Sequence, residues 1–191
     1  GCSGGAAPTA SKRISVGAPG SGTELNARAI VKAAGMSYDD FSKVEYLSFG
    51  ESVELIKNRQ LDITLQSAGL GVASLRDLAA SVRIVVVPIP ADVVKNVGRP
   101  VYQPAVIPAS TYDGQLEDVE TASIRNVLVT HDNVPDDVVY RMTKALFENL
   151  DQLAAAHVAA EGISRETAYE NLPVPLHPGA AAYYREVGLL E

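Results

Sequence analysis

Apolar positions in the first half of the chain alternate between two periods. Ile14 and Val16 stand two apart, which predicts a strand over Arg13–Ala18. Pro19, Gly20 and Gly22 interrupt it. Leu25, Ala29, Ile30, Ala33 and Ala34 then mark one face of a helix over Gly22–Ala34, with Gly35 suited to the position after its C-cap. The pattern repeats. A strand over Val44–Phe49 precedes a helix over Gly50–Asn58, and a strand over Leu61–Leu65 precedes a helix over Gly69–Ala79 with Val72, Leu75 and Leu78 on one side. Arg83–Ile89 is nearly continuous Val and Ile and is expected as a fourth strand buried on both faces. This strand–helix alternation predicts an α/β fold with a mostly parallel sheet and right-handed crossovers. Ligands on such sheets sit outside the carboxyl ends of the strands.

Pro88 and Pro90 close this series. Asp92–Val97 has room for one or two helical turns, and Pro100–Gly114, rich in Pro, Tyr and Gly, reads as an irregular connection. Thr121–Thr130 reads as one long strand. Asp132 or Asn133 is expected to cap a strong helix, with Pro135 near its first turn and Asp136 and Asp137 after it. Val138, Val139, Met142, Leu146, Leu150 and Leu153 form its apolar stripe. Shorter helices are expected over Arg165–Asn171 and Gly179–Glu186.

The net charge of −7 and pI near 5.0 argue against nucleic acid as a partner. No apolar run is long enough for a membrane-spanning helix. The single cysteine, Cys2, lies in Gly1-Cys2-Ser3-Gly4-Gly5, ahead of a small, polar, Pro-containing tether. That start resembles a mature bacterial lipoprotein, in which the cysteine is lipidated; the bland alternative is a tail with an incidental cysteine. His131, His157 and His177 are scattered, so no metal and no cofactor are expected. Pro19-Gly20-Ser21-Gly22 lacks the spacing of a nucleophile elbow. The pairs Asp39-Asp40, Glu117-Asp118 and Asp136-Asp137 are sequence neighbours that do not share a helix face, so no enzyme is expected.

The candidate chemistry lies in two turns. Ser21, Gly22 and Thr23 are N-cap residues, and Glu24 falls in the acidic-favoured first helical turn. A helix start offers free N–H groups and partial positive charge to a carboxylate, although it is equally an ordinary cap. Gln66, Ser67 and Gly69 follow the third strand, where an amide and a hydroxyl suit a polar ligand group or simply face solvent. Tyr102, Tyr112 and Gln115 fall in the later connection and either line a cleft or pack a hinge, with packing favoured. Ser48 and Phe49 are expected to end the second strand on the cleft side.

These segments together resemble the TAXI family of substrate-binding proteins for TRAP transporters. The resemblance rests on Val16-Gly17-Ala18-Pro19-Gly20-Ser21-Gly22-Thr23-Glu24 with Asn26-Ala27-Arg28, then Tyr46-Leu47-Ser48-Phe49 and Leu61-Asp62-Ile63. It continues through Ile107-Pro108-Ala109-Ser110-Thr111-Tyr112, Leu128-Val129-Thr130, Thr143 to Leu150, and Leu176-His177-Pro178-Gly179. It implies a periplasmic-binding-protein type II-like fold, with one complete parallel-sheet lobe plus the C-terminal part of the other lobe. Residues 1–11 are then a tether, 12–90 the second-lobe α/β domain, 91–120 the hinge and connection, and 121–191 the C-terminal strand and helices of the first lobe.

The implied function is that of a receptor which closes on a small organic acid, an amino acid or a dicarboxylate, and presents it to a TRAP permease subunit. The implied ligand-binding residues are Ser21, Gly22, Thr23, Glu24, Gln66, Ser67, Gly69 and Tyr112, with Cys2 for lipidation and a periplasmic or cell-surface location. Family members carry most of a first lobe ahead of the Val16 motif, and this sequence carries only the tail there. The apolar face around Val138, Met142 and Leu146 is therefore expected to meet a second copy, another protein or the other lobe. The alternative reading is a non-transporting lipoprotein that serves as an interaction or scaffold module.

Overall fold

A computed structural model describes residues 9–191, which form two compact units, one ending at Arg125 and one running from Asn126 to Glu191. Residues 1–8 of the expected tether, with Cys2, lie outside the described residues, and its last three residues, Thr9–Ser11, form a short 3-10 turn.

The first unit is built on a parallel sheet of β1 (Arg13–Ser15), β2 (Lys43–Glu45) and β3 (Ile63–Thr64), in the order β2-β1-β3. The central position of β1 explains its alternation, because Ile14 is buried on one side and Ser15 on the other. Ser15 Oγ donates to Thr64 Oγ1 at 2.9 Å, which satisfies the buried hydroxyl. At the amino ends, Asp62 accepts from the Arg13 backbone N–H at 2.9 Å and from its Nε at 2.8 Å. That clamp holds the Asp62 carboxyl down at about 2.

α1 (Gly22–Ala33) lays Ala27 on the sheet with Ile14 and Val16. It stops where expected: Gly35 adopts φ 75, its N–H bonds to the Lys32 carbonyl and that of Met36 to Val31, a Schellman motif. α2 (Phe49–Lys57) starts earlier than its apolar pattern suggests, because Ser48 and Glu51 form a capping box. The Ser48 and Phe49 pair expected at a strand end therefore opens a helix. α3 (Ala73–Ser81) and α4 (Ala91–Asn96) follow.

Three expectations fail here. Arg83–Ile89 joins no ladder, and Val85 and Val87 are 81% and 68% exposed. The run of β-branched residues favours extension, and Ile84 and Val86 are half-buried on one side, but no described strand pairs with it, and Ile89 N–H reaches only the Glu120 carbonyl. The connection expected to be irregular instead contains β4 (Tyr102–Ile107), paired antiparallel with β5 (Val119–Ile124). β5 is thus shorter than the Thr121–Thr130 strand expected, and Leu128 and Val129 are exposed. α1 serves both layers, since Ile30 packs with Val94 and Tyr102 beneath the hairpin.

In the second unit, α5 (Asp136–Glu148) is capped at Pro135, in place of the expected Asp132 or Asn133. Asn149 separates it from α6 (Leu150–Ala156), so the expected stripe does not run through to Leu153. The buried side of α5 holds Val139, with Tyr140 and Phe147 packed near it, while Met142 is half exposed. Arg165–Asn171 forms turns where a short helix was expected. α7 (Pro178–Glu186) packs its Tyr183 and Tyr184 on Val139 and Phe147, and the Phe147 and Tyr183 rings stack at 5.8 Å. Gly179 permits this approach, because a Cβ there would lie 2.1 Å from the Asp136 carbonyl oxygen.

Candidate functional site

Two turns leave the carboxyl ends of neighbouring strands in the first unit and are tied together. After β1 the chain passes through fully buried Val16 and turns at Gly17, whose φ is 96. A Cβ on Gly17 would stand 2.7 Å from Thr23 Cβ, so close approach and backbone conformation both require glycine. Ser21 then caps α1, its Oγ accepting from the Glu24 N–H at 3.2 Å and its carbonyl from Leu25. Among the described residues, the N–H groups of Gly22 and Thr23 have no hydrogen-bond partner. Two donors at the positive end of a twelve-residue helix are therefore free to meet an anion.

Glu24 points elsewhere. It is 6% exposed and accepts from Arg28 Nε at 3.0 Å. Arg28 lies over the Tyr38 ring at 4.8 Å. Burial, followed by the Glu24 charge, pushes the Tyr38 phenol up to about 12. This group ties α1 to the following turn and occupies the Glu24 carboxylate.

The second turn begins where β3 ends. Asn26 Nδ2 donates to Ser67 Oγ at 2.9 Å, and Tyr102 Oη donates to Asn26 Oδ1 at 2.8 Å. Gln66 Oε1 accepts from Ser74 Oγ at 2.7 Å, while its Nε2 is buried without a protein partner. Asn26, Gln66, Ser67, Tyr102 and Thr121 supply the polar lining of a crevice of about 70 Å³. The structure therefore brings Gln66 and Ser67 together with the α1 start through Asn26. Gly69 is exposed and does not line the crevice. Tyr112 is 6% exposed, with its hydroxyl at the Gly71 backbone, and burial raises its pKa. It braces the loop after β3 and also lies outside the lining.

Asn26, Ser74 and Thr121 do not stand out as polar site residues in sequence, and Tyr102 reads there as hinge packing. Tyr102 and Asn26 are 76 positions apart, so no local periodicity joins them. The arrangement can hold an anion at the helix start and a neutral polar group in the crevice. Among the described residues, no group of three or more His, Cys, Asp or Glu is placed to hold a metal, and no helix is long and apolar enough to cross a membrane.

The sequence profile of the NMT1-like family matches residues 7–188. That is a family of solute-binding proteins, not of enzymes, and it includes receptors of the TRAP and TAXI type. Its periplasmic-binding-protein-like fold accords with the parallel three-stranded sheet and flanking helices found here. With nearly its whole length matched, the chain belongs to the NMT1-like family.

Proposed function

We propose that the chain is the solute receptor of a TRAP-type transporter, of the TAXI kind, and that it binds a small carboxylate-bearing solute. The observation that carries this reading is the pair of unpartnered N–H groups at Gly22 and Thr23, on the same helix as Asn26, whose amide donates to the Ser67 hydroxyl. Charged-acceptor hydrogen bonds of this type are worth about 1.5–3 kcal/mol each. Ser21 shapes the turn, Gln66 and Ser67 meet the rest of the solute, and Tyr112 braces the loop behind them. On this reading the chain acts in the periplasm or at the cell surface, is lipidated at Cys2, and delivers its solute to a permease.

A thermal-shift screen of amino acids and dicarboxylates on the full chain tests the reading. A solute that binds the native form raises the melting temperature with concentration. A shift that Ser21→Ala/Thr23→Ala abolishes supports the reading, and the absence of any shift across the screen sinks it.

Exposed Val85 and Val87 on the first unit favour a second reading, that of an interaction module which pairs with another copy. Sedimentation across a wide concentration range decides it: a monomer–dimer equilibrium supports self-association, and a strict monomer counts against it.

A further inference from the structure

We infer that the crevice takes an uncharged, hydrogen-bonding end of a monocarboxylate and rejects a second carboxylate. This rests on the receptor reading above and narrows its solute class.

The polar lining of the crevice is neutral throughout, consisting of Asn26, Gln66, Ser67, Tyr102 and Thr121. The rest of the wall is aliphatic, from α1, the residue after β3, β5 and Ile89 on the segment before α4. Among the described residues, no cationic side chain lines it. Arg28 shares a helix with Asn26, but two helical residues lie about 200° apart, and Arg28 is already tied to Glu24 and Tyr38. Lys95 and Arg99 line a separate depression that shares Tyr102 alone with this crevice. A second carboxylate buried here would lose its hydration without gaining a counter-charge, a loss that an amide or hydroxyl escapes by hydrogen bonding. The net charge of −7 adds to the bias against a dianion.

The hydrogen bonds run in one direction and leave defined ends. Tyr102 donates to Asn26, and Asn26 donates to Ser67 Oγ, so the Ser67 hydroxyl hydrogen is left to donate onward. The Gln66 Nε2 amide is a second donor, held by the bond from Ser74 to its oxygen. A carbonyl or hydroxyl oxygen fits these donors, and the Tyr102 oxygen can accept in return. The volume of about 70 Å³ matches a terminal group about the size of two waters. Asn26 lies one helical turn past Gly22, about 6 Å along the axis and on the same side. A short chain with a carboxylate at one end and an amide or hydroxyl at the other spans that distance.

Calorimetric titration of the full chain with matched probes tests this: L-glutamine against L-glutamate, L-asparagine against L-aspartate, and 4-hydroxybutyrate against succinate. The expected result is binding at least about tenfold tighter for the uncharged-end member of a pair. Gln66→Met, which keeps the volume, should abolish that preference while leaving the far-ultraviolet dichroism unchanged. Equal or reversed affinities within the pairs, or a preference that survives Gln66→Met, overturn the inference and leave the receptor reading standing. No heat with any probe overturns both.

Discussion

Replacing Gly17 with alanine should destabilise the first unit by about 2–5 kcal/mol, the sum of two structural costs. The first is conformational: Gly17 sits at φ 96, and an L-residue held at positive φ costs about 1–2 kcal/mol. The second is steric: the new methyl would lie 2.7 Å from both Thr23 Cβ and Cγ2 and 3.0 Å from Ser21 Oγ. Overpacking of that kind costs about 1–3 kcal/mol. Thr23→Gly removes both clashing carbons but not the backbone cost. The double variant should therefore recover the steric part, giving a coupling of about 1–3 kcal/mol in a double-mutant cycle. Urea unfolding followed by circular dichroism and tyrosine fluorescence reads the effect, since the chain has no tryptophan. A Gly17→Ala stability within about 0.5 kcal/mol of wild type, or strict additivity with Thr23→Gly, would refute the packing of this turn.

Gly179→Ala should unfold or loosen the second unit at a cost of about 3 kcal/mol or more, because the obstructing atoms are α5 backbone, and loss of near-ultraviolet tyrosine dichroism reports it. Tyr102→Phe should cost about 1 kcal/mol through the lost bond to Asn26 and weaken solute binding, as urea midpoints and titration will show. The Asp62 clamp carries a pH signature. Its folded pKa of about 2 lies below the unfolded value, so its stabilisation is present above roughly pH 4 and disappears as pH falls towards 2. After allowance for its partial exposure, Asp62→Asn should cost about 1 kcal/mol at neutral pH. Urea midpoints of the two proteins should converge near pH 2, and a constant gap would contradict the clamp.

Local chemistry was legible where it is decided by adjacent residues. Ser21 as cap, Gly35 as helix terminator and the β1-α1 turn follow from residues a few positions apart. The same holds for α7, where Pro178 pre-sets the first turn. What failed was decided by distant neighbours. Arg83–Ile89 has the composition of a buried strand, yet burial depends on flanking strands that its own sequence does not describe. β4 was hidden because Pro104 and the surrounding turn residues suggest a loop, whereas its pairing with β5 tolerates a proline at a two-stranded edge. In the site, Gln66 and Ser67 were visible as polar residues at a strand end. Asn26 was not, and Tyr102 was favoured as hinge packing, because their pairing depends on a contact between α1 and β4.

The most direct test of the site uses Gly22→Pro. Position 22 opens α1, a Cβ there meets nothing within 4 Å, and Ser21 before it is already extended at φ −76 and ψ 158. Proline is therefore tolerated and should leave the fold intact or add about 0.4–1 kcal/mol of stability, while deleting one of the two free N–H donors. Thermal melts and carboxylate titrations of the full chain and this variant read both quantities together. The account predicts a melting temperature equal to or above wild type, with solute affinity reduced about tenfold or more. An unchanged affinity in the folded variant would contradict the claim that the α1 start holds the solute's carboxylate.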